Sequence, residues 1–287
     1  MSVKFFGQFL LERTIISPAQ LLEAVKYQES RNRRIGEYAV QKGYLTKKDV
    51  DTILAEQKRT DMQFGELAVH LKILTPANIE ELLTLQKNDH ILLGEALIAK
   101  GFLTRDALDS ALALFKQDQS QYIPGEVMIP EGIEHPLIIR DFVDLTEKML
   151  LRVAHLRVKA GEGVTPSSAP RQHDVSVRIR LEGSLTFEYI LSASLAVSTI
   201  IASGIIGAHA ARETREVILD GVKEFCNIVC GNMLAKLAQK GQSLDISTPE
   251  EIISPTGVSG IIRGRKAVSF NLSSVEGEIA LTLVQGR

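Results

Sequence analysis

Residues 213–240 read ETREVILDGVKEFCNIVCGNMLAKLAQK. At about 100° per residue this is one long helix, with Leu219, Val222, Cys226, Val229 and Met233 on one side and Asp220, Glu224, Asn227 and Gly231 within an arc of about 60° on the other. A carboxylate and an amide therefore share one polar stripe. Any surface helix can show such a stripe, and Glu-x-x-Asn by itself discriminates little, since Glu29 and Asn32 repeat the spacing elsewhere. The surrounding elements carry the information.

Upstream, Ile138, Phe142, Leu145, Met149 and Val153 mark one face of a helix in residues 137–156. Val175, Val177, Ile179 and Leu181 then alternate with polar residues, Glu182-Gly183 reads as a turn, and Leu185, Phe187 and Tyr189 alternate again, which predicts a hairpin. A helix of small residues follows near 194–207. Downstream of the long helix come a strand around Leu244–Ile246, Pro249 and Pro255, and a second hairpin, Ala267–Leu272 with Glu278–Val284. The order α-β-β-α-α-β-β-β predicts an α+β domain with an antiparallel sheet and long helices.

The set Asp220-x-x-x-Glu224-x-x-Asn227-x-x-x-Gly231-Asn232, after a hairpin and a small-residue helix and before Pro249, resembles the CheC/CheX family of chemotaxis phosphatases over about residues 137 to 285. Two-site members carry a second motif in the first half of the domain. Here the corresponding helix reads SLAVSTIIASGIIG, with neither Glu nor Asn, so the single-site CheX-like branch is the nearer match. The resemblance implies an enzyme, a protein aspartyl-phosphate phosphatase, whose substrate is the phosphorylated receiver domain of a response regulator in two-component signalling. Such a receiver brings its own divalent ion and lysine, so no cofactor bound by this chain is implied. By the same resemblance Asn227 would orient the attacking water, Glu224 would pair with the receiver lysine, Asp220 would stand at the rim of the contact, and Gly231 would admit the partner closely. The branch also implies a homodimer, and hairpins with unpaired edges give that a physical basis. A reading from another class stands beside it: a non-catalytic adaptor binding receivers or cyclic di-GMP in a motility or secretion complex.

The first third of the chain is a repeat. Gly7, Gly36, Gly65 and Gly94 recur every 29 residues, and Gln28, Gln57 and Gln86 keep the same period, with Phe115 in the fourth place. Thr46, Thr75 and Thr104 stand where helix N-caps belong. Each unit reads as a helix pair with an apolar face it cannot bury alone, which predicts four units stacked neighbour on neighbour in an all-α domain, residues 1–117. Pro124, Gly125, Pro130, Gly132 and Pro136 then mark a linker, 118–136, before the α+β domain, 137–287. The spacing of a leading R-φ-G, a mid-unit Gly, a Leu pair and a final Gln resembles the MshEN-type N-terminal domain of type II secretion and pilus ATPases over residues 5–115. Some members of that family bind cyclic di-GMP. Only the second unit keeps Arg34, Gly36, Gly43 and Gln57 together; the Arg position is Phe5, Gln63 and Leu92 elsewhere, and Phe or Leu cannot fork onto a phosphate as a guanidinium does. The other reading of this region is a basic loop on a packing scaffold.

Composition bounds the rest. Thirty-three Lys+Arg against thirty-five Asp+Glu leave a net charge of −2, too balanced for a binder of nucleic-acid polymers driven by bulk charge. Two cysteines, Cys226 and Cys230, sit four apart in one helix, where disulfide geometry is poor; both read as reduced core residues of a cytoplasmic protein. The six histidines show no HxxxH or HxH spacing, and neither GxxxxGK[ST] nor GxSxG occurs, which argues against a metallohydrolase, an ATPase or a serine hydrolase. Tyr189–Ala211 is uncharged and long enough to span a bilayer. Its serines and glycines instead favour a strand end followed by a buried helix, and no export signal is visible at the N-terminus.

Overall fold

A computed structural model describes residues 5–118, 127–166, 172–207, 214–253 and 257–286. They fall in two compact units, Lys4–Gln121 and Tyr122–Arg287. Pro124 and Gly125 of the expected linker, Pro255, and residues 208–211 of the uncharged stretch lie outside the described residues.

The first unit is helical. Four short helices, α1 (Phe6–Glu12), α3 (Ile35–Gln41), α5 (Phe64–His70) and α7 (Leu93–Ala99), alternate with four longer ones, α2 (Pro18–Arg31), α4 (Lys47–Gln57), α6 (Pro76–Asp89) and α8 (Arg105–Asp118). The recurrent glycine is the second residue of each short helix. A Cβ at Gly7, Gly36, Gly65 or Gly94 would lie 3.0, 3.2, 3.1 or 2.8 Å from Leu21, Val50, Ile79 or Leu108, so the glycine is what lets each long helix seat on the short helix before it. Ser17, Thr46, Thr75 and Thr104 cap the long helices, each accepting from the backbone N–H three residues on.

The neighbour-on-neighbour stack is corrected by the packing. Phe9, Leu10, Ala24, Ala96, Leu97 and Ala111 form one core from the first and fourth repeats, and Tyr38, Ala39, Ile53, Leu67, Ala68 and Leu82 form a second from the second and third. In each core the short helix of one repeat lies on the long helix of the other, α1 on α8 and α7 on α2, α3 on α6 and α5 on α4. This reciprocal pairing buries both apolar faces at once, so neither pair needs a further neighbour. Lys42–Glu81 at 2.9 Å in one pair and Lys100–Glu23 at 3.0 Å in the other occupy equivalent places.

The second unit is an antiparallel sheet backed by helices. Its elements are α9 (Pro136–Ala154), β1 (Lys159–Ala160), β2 (Val175–Gly183), β3 (Phe187–Ala193), α10 (Leu195–Ile206), α11 (Arg215–Gln239), β4 (Leu244–Ile246), β5 (Glu250–Glu251), α12 (Gly257–Ile262), β6 (Ala267–Ser273) and β7 (Glu278–Gln285). The strand order is β1-β6-β7-β3-β2-β4, with β5 also on β2. Alternation fixes the faces: Val177, Ile179, Tyr189, Leu191, Phe270, Leu281 and Leu283 point at Phe142, Met149, Phe225, Cys226 and Val229 of the helices. Tyr189, wholly buried, meets Thr146 Oγ1 at 3.1 Å, and burial pushes its phenol well up, so it stays neutral. Residues 127–135, within the stretch read as linker, pack with this unit: Val127, Ile129 and Ile133 lie against its core, and Gly163 N–H donates to Met128 O at 2.8 Å.

The expected turn at Glu182-Gly183 is displaced. β2 runs on through Gly183, which pairs with Leu244 of β4, and the chain turns at residues 184–186. A Cβ at Gly183 would come within 2.9 Å of Leu244 Cα, so this glycine serves a close strand approach. Three short elements, β1, β5 and α12, were absent from the expected order; each is too brief to leave a periodic pattern. No helix among the described residues is long and apolar enough to cross a membrane, and the uncharged stretch divides into β3 and α10 as its composition suggests.

Candidate functional site

The polar stripe lies on α11. Ile218, Leu219, Val222, Phe225, Cys226, Val229, Cys230, Met233 and Leu237 are buried, which leaves Asp220 and Glu224 exposed and Asn227 and Gly231 half-buried along the opposite side. Burial also pushes both thiols up, so Cys226 and Cys230 stay protonated core residues.

Several contacts set the helix in place. At its start Arg215 pairs with Glu251 of β5 at 2.6 Å. One turn before Glu224, Gly221 faces α10 so closely that a Cβ there would lie 2.6 Å from Ala202 Cβ. Toward the C-terminus, Asp141 of α9 binds Lys236 at 2.9 Å and Lys240 at 2.8 Å. Burial opposes ionisation of Asp141, yet the ammoniums of Lys240 and Lys236 outweigh it and hold the carboxyl below its usual range. The stripe is therefore displayed on a helix tied to α9, α10 and the sheet.

Glu224 and Asn227 make no hydrogen bond or ion pair with other described residues, so both polar ends are open to an incoming group. The neighbouring Asn232 is different. It is buried and spends its side-chain amide on Ile228 O at 2.8 Å, so of the two asparagines only Asn227 is offered outward. A Cβ on Gly231 would meet nothing within 4 Å. No contact among the described residues asks for glycine there, although glycine in a helix interior costs about 1 kcal/mol relative to alanine. Asp220, with its side chain 75% exposed, lies 3.7 Å from Lys223. Helical arithmetic places Lys223 on this same face, a signal in the sequence that attention to carboxylates and amides alone passes over. Pro249, half-buried, separates β4 and β5, which pair with successive parts of β2, and both strands touch α11.

α10, in the place where a second site would stand, caps with Ser194 and presents Leu195, Ala196 and Ile206 outward. It carries no carboxylate or amide. Among the described residues no group of three or more His, Cys, Asp or Glu could hold a metal ion.

Three of the four residues associated with cyclic di-GMP, Gly36, Gly43 and Gln57, have internal duties in the repeat. Gly36 admits Val50, and Gly43, at φ +74°, occupies the left-handed turn that Thr14, Lys72 and Gly101 occupy in the other repeats. Gln57 donates to Met62 O at 3.1 Å; Gln28 and Gln86 make the same bond to Ile91 O and Arg33 O. The recurrent glutamine thus clasps the chain just ahead of the partner repeat's short helix. Arg34 is exposed and forms the N-cap of α3, its backbone N–H donating to Glu37. The fourth glutamine place belongs to Phe115, whose ring lies 5.3 Å from those of Phe6 and Phe9.

Residues 175–267, from β2 to the first residue of β6, match the family model described as Chemotaxis phosphatase CheX, which makes this part of the chain a CheX-type domain. No curated protein matches the chain. Among solved structures, the chemotaxis protein CheX from Vibrio vulnificus is similar at 22% identity, over 52% of this chain and 99% of that one, with a TM-score of 0.45. A CheX–CheY–BeF3–Mg complex from Borrelia burgdorferi is similar at 23% identity over 52% and 96%, TM-score 0.43. A CheX from Desulfovibrio desulfuricans is similar at 15% over 52% and 99%, TM-score 0.43. Likenesses of this size set no function; the family match on residues 175–267 is what bears on it.

Proposed function

We propose that the chain is an aspartyl-phosphate phosphatase acting on the receiver domain of a response regulator, with α11 as its working face. The observation that carries this is the pair Glu224 and Asn227, both outward and engaged by no other described residue, on one stripe within the segment that matches a phosphatase family. An adaptor has no need of that pair.

The chemistry asks little of the chain. In hydrolysis of an acyl phosphate the water oxygen bonds to phosphorus as the bond from phosphorus to the aspartyl oxygen breaks, the carboxylate leaves with the electron pair, and the water's proton ends on inorganic phosphate. The receiver holds the divalent ion and a lysine around its phosphoryl group, so the phosphatase has to place water in line and hold the partner. Asn227, with an amide that both donates and accepts, orients the water. Glu224 pairs with the receiver lysine, Asp220 stands at the rim, and Gly231 leaves room for the partner's backbone. The CheX-type domain works as a homodimer in this reading, and the helical unit is a docking or regulatory module fused to it. Receiver-phosphate lifetime measured with and without the chain tests the proposal: a shortened lifetime supports it, and an unchanged lifetime across stand-alone receivers replaces it with the adaptor.

A further inference from the structure

The first three turns of the stripe carry Glu216, Asp220 and Glu224, three exposed carboxylates on the face that, on the reading above, meets a phosphoryl group. Carboxylates and a phosphoryl anion repel, so a face of this composition calls for a cation. Among the described residues the one cation on that face of α11 is Lys223, which falls about 40° from Asn227 on the side away from Glu224. Arg215 is engaged by Glu251, and Lys236 and Lys240 by Asp141, on other sides of the helix.

Lys223 is held loosely. Its nitrogen stands 3.7 Å from Asp220 Oδ1, outside hydrogen-bond distance, and the Asp220 side chain is 75% exposed, a geometry worth little in water. The Lys223 side chain itself is 31% exposed, so its stem rests on the helix while the ammonium reaches outward. Asn227 is one turn further on, a rise of about 6 Å, which a four-carbon stem covers.

We propose that Lys223 is a further functional residue of this face: its ammonium leaves Asp220 and pairs with a phosphoryl oxygen of the docked receiver, beside the water held by Asn227. It takes up no proton and forms no covalent bond. Its part is to offset charge on the group in transfer, as positioned cations do in phosphoryl transfer generally. The inference rests on the phosphatase reading.

The test uses the full chain and stand-alone receiver domains phosphorylated with acetyl phosphate and Mg2+. Turnover at saturating receiver should fall about tenfold in Lys223→Ala and in Lys223→Gln, which keeps most of the stem, and recover in Lys223→Arg, with melting temperatures unchanged. Binding of both neutral variants to a beryllium-fluoride-loaded receiver should weaken more than binding to the receiver with Mg2+ alone. Wild-type turnover in Lys223→Gln overturns the inference. So does an equal loss of affinity for loaded and unloaded receiver, which would make Lys223 a rim contact. A wild-type chain that accelerates hydrolysis on no receiver overturns the phosphatase reading and Lys223 with it, whereas an active chain indifferent to Lys223 removes this inference alone.

Discussion

The side-chain amide of Gln28 donates to the backbone carbonyl of Ile91 at 3.1 Å, across 63 residues of chain. Gln57 and Gln86 make the corresponding bonds to Met62 and Arg33 within the other pair, so both pairs of repeats are fastened by the residue that first announces the repeat. Replacing Gln57 by alanine leaves Met62 O without this donor and should cost about 1 kcal/mol, read as a lower denaturant midpoint with an unchanged slope, while Gln28→Ala should cost less because Ile91 O keeps the Asn32 amide. An unaltered midpoint in both would mean that the clasp is incidental.

The same bonds bear on the nucleotide. With Gly36, Gly43 and Gln57 serving the repeat itself, calorimetry with cyclic di-GMP at high ligand concentration is expected to show no heat. Micromolar binding that Arg34→Ala abolishes would reverse this and place a ligand on the second repeat.

Two glycines on one helix should behave oppositely. Gly231→Ala adds a Cβ that meets nothing and removes a helix-interior glycine, so stability should rise by about 1 kcal/mol while affinity for a receiver falls. Gly221→Ala drives a methyl into Ala202 and should destabilise by roughly 1–3 kcal/mol. If Gly231→Ala leaves receiver affinity untouched, close approach at that point is wrong.

Asn227→Ala should depress turnover of a receiver phosphate while leaving binding to a phosphoryl-mimic-loaded receiver nearly intact, because an amide that orients water acts mainly in the transition state. Glu224→Ala should instead weaken binding, and the gap from wild type should narrow at high salt. Both side chains are outward, so thermal melts should be unchanged. Wild-type rates in both variants would remove the phosphatase reading.

Asp141 supplies an acid-side signature. Its carboxyl titrates below the value near 3.9 of an unfolded aspartate, so the folded state binds fewer protons in that window and stability rises with pH through it. The contribution is full above the unfolded value and is lost as pH falls through the folded one. Asp141→Asn should therefore flatten the loss of stability in acid, measured as melting temperature between about pH 5 and pH 2. A variant that parallels wild type through that range would show that the Lys236 and Lys240 contacts contribute nothing.

Long periodic segments were legible in the sequence because burial leaves a pattern: the apolar side of α11, the alternation of β2, β3, β6 and β7, and the threonine caps all follow from spacing. The outward stripe with Glu224 and Asn227 was legible for the same reason. Pairing between repeats was not, since a 29-residue period is equally compatible with a stack and with reciprocal pairs, and the choice rests on which short helix meets which long one. Gly183 read as a turn because its letter does not tell a tight bend from a close neighbour. Gly221 and Gly231 show the same ambiguity within three turns of one helix.

At the boundary between the two helical cores, Asn32 holds both the N–H and the carbonyl of Ile91, each at 2.8 Å. The chain thus leaves the outer pair of repeats and returns to it at touching points. A deletion that removes the second and third repeats together would rejoin ends that already meet, whereas removal of one would strand its partner with half a core. Growth or shrinkage of this module in evolution should accordingly proceed two repeats at a time, an even-number rule imposed by how the chain re-enters its own fold.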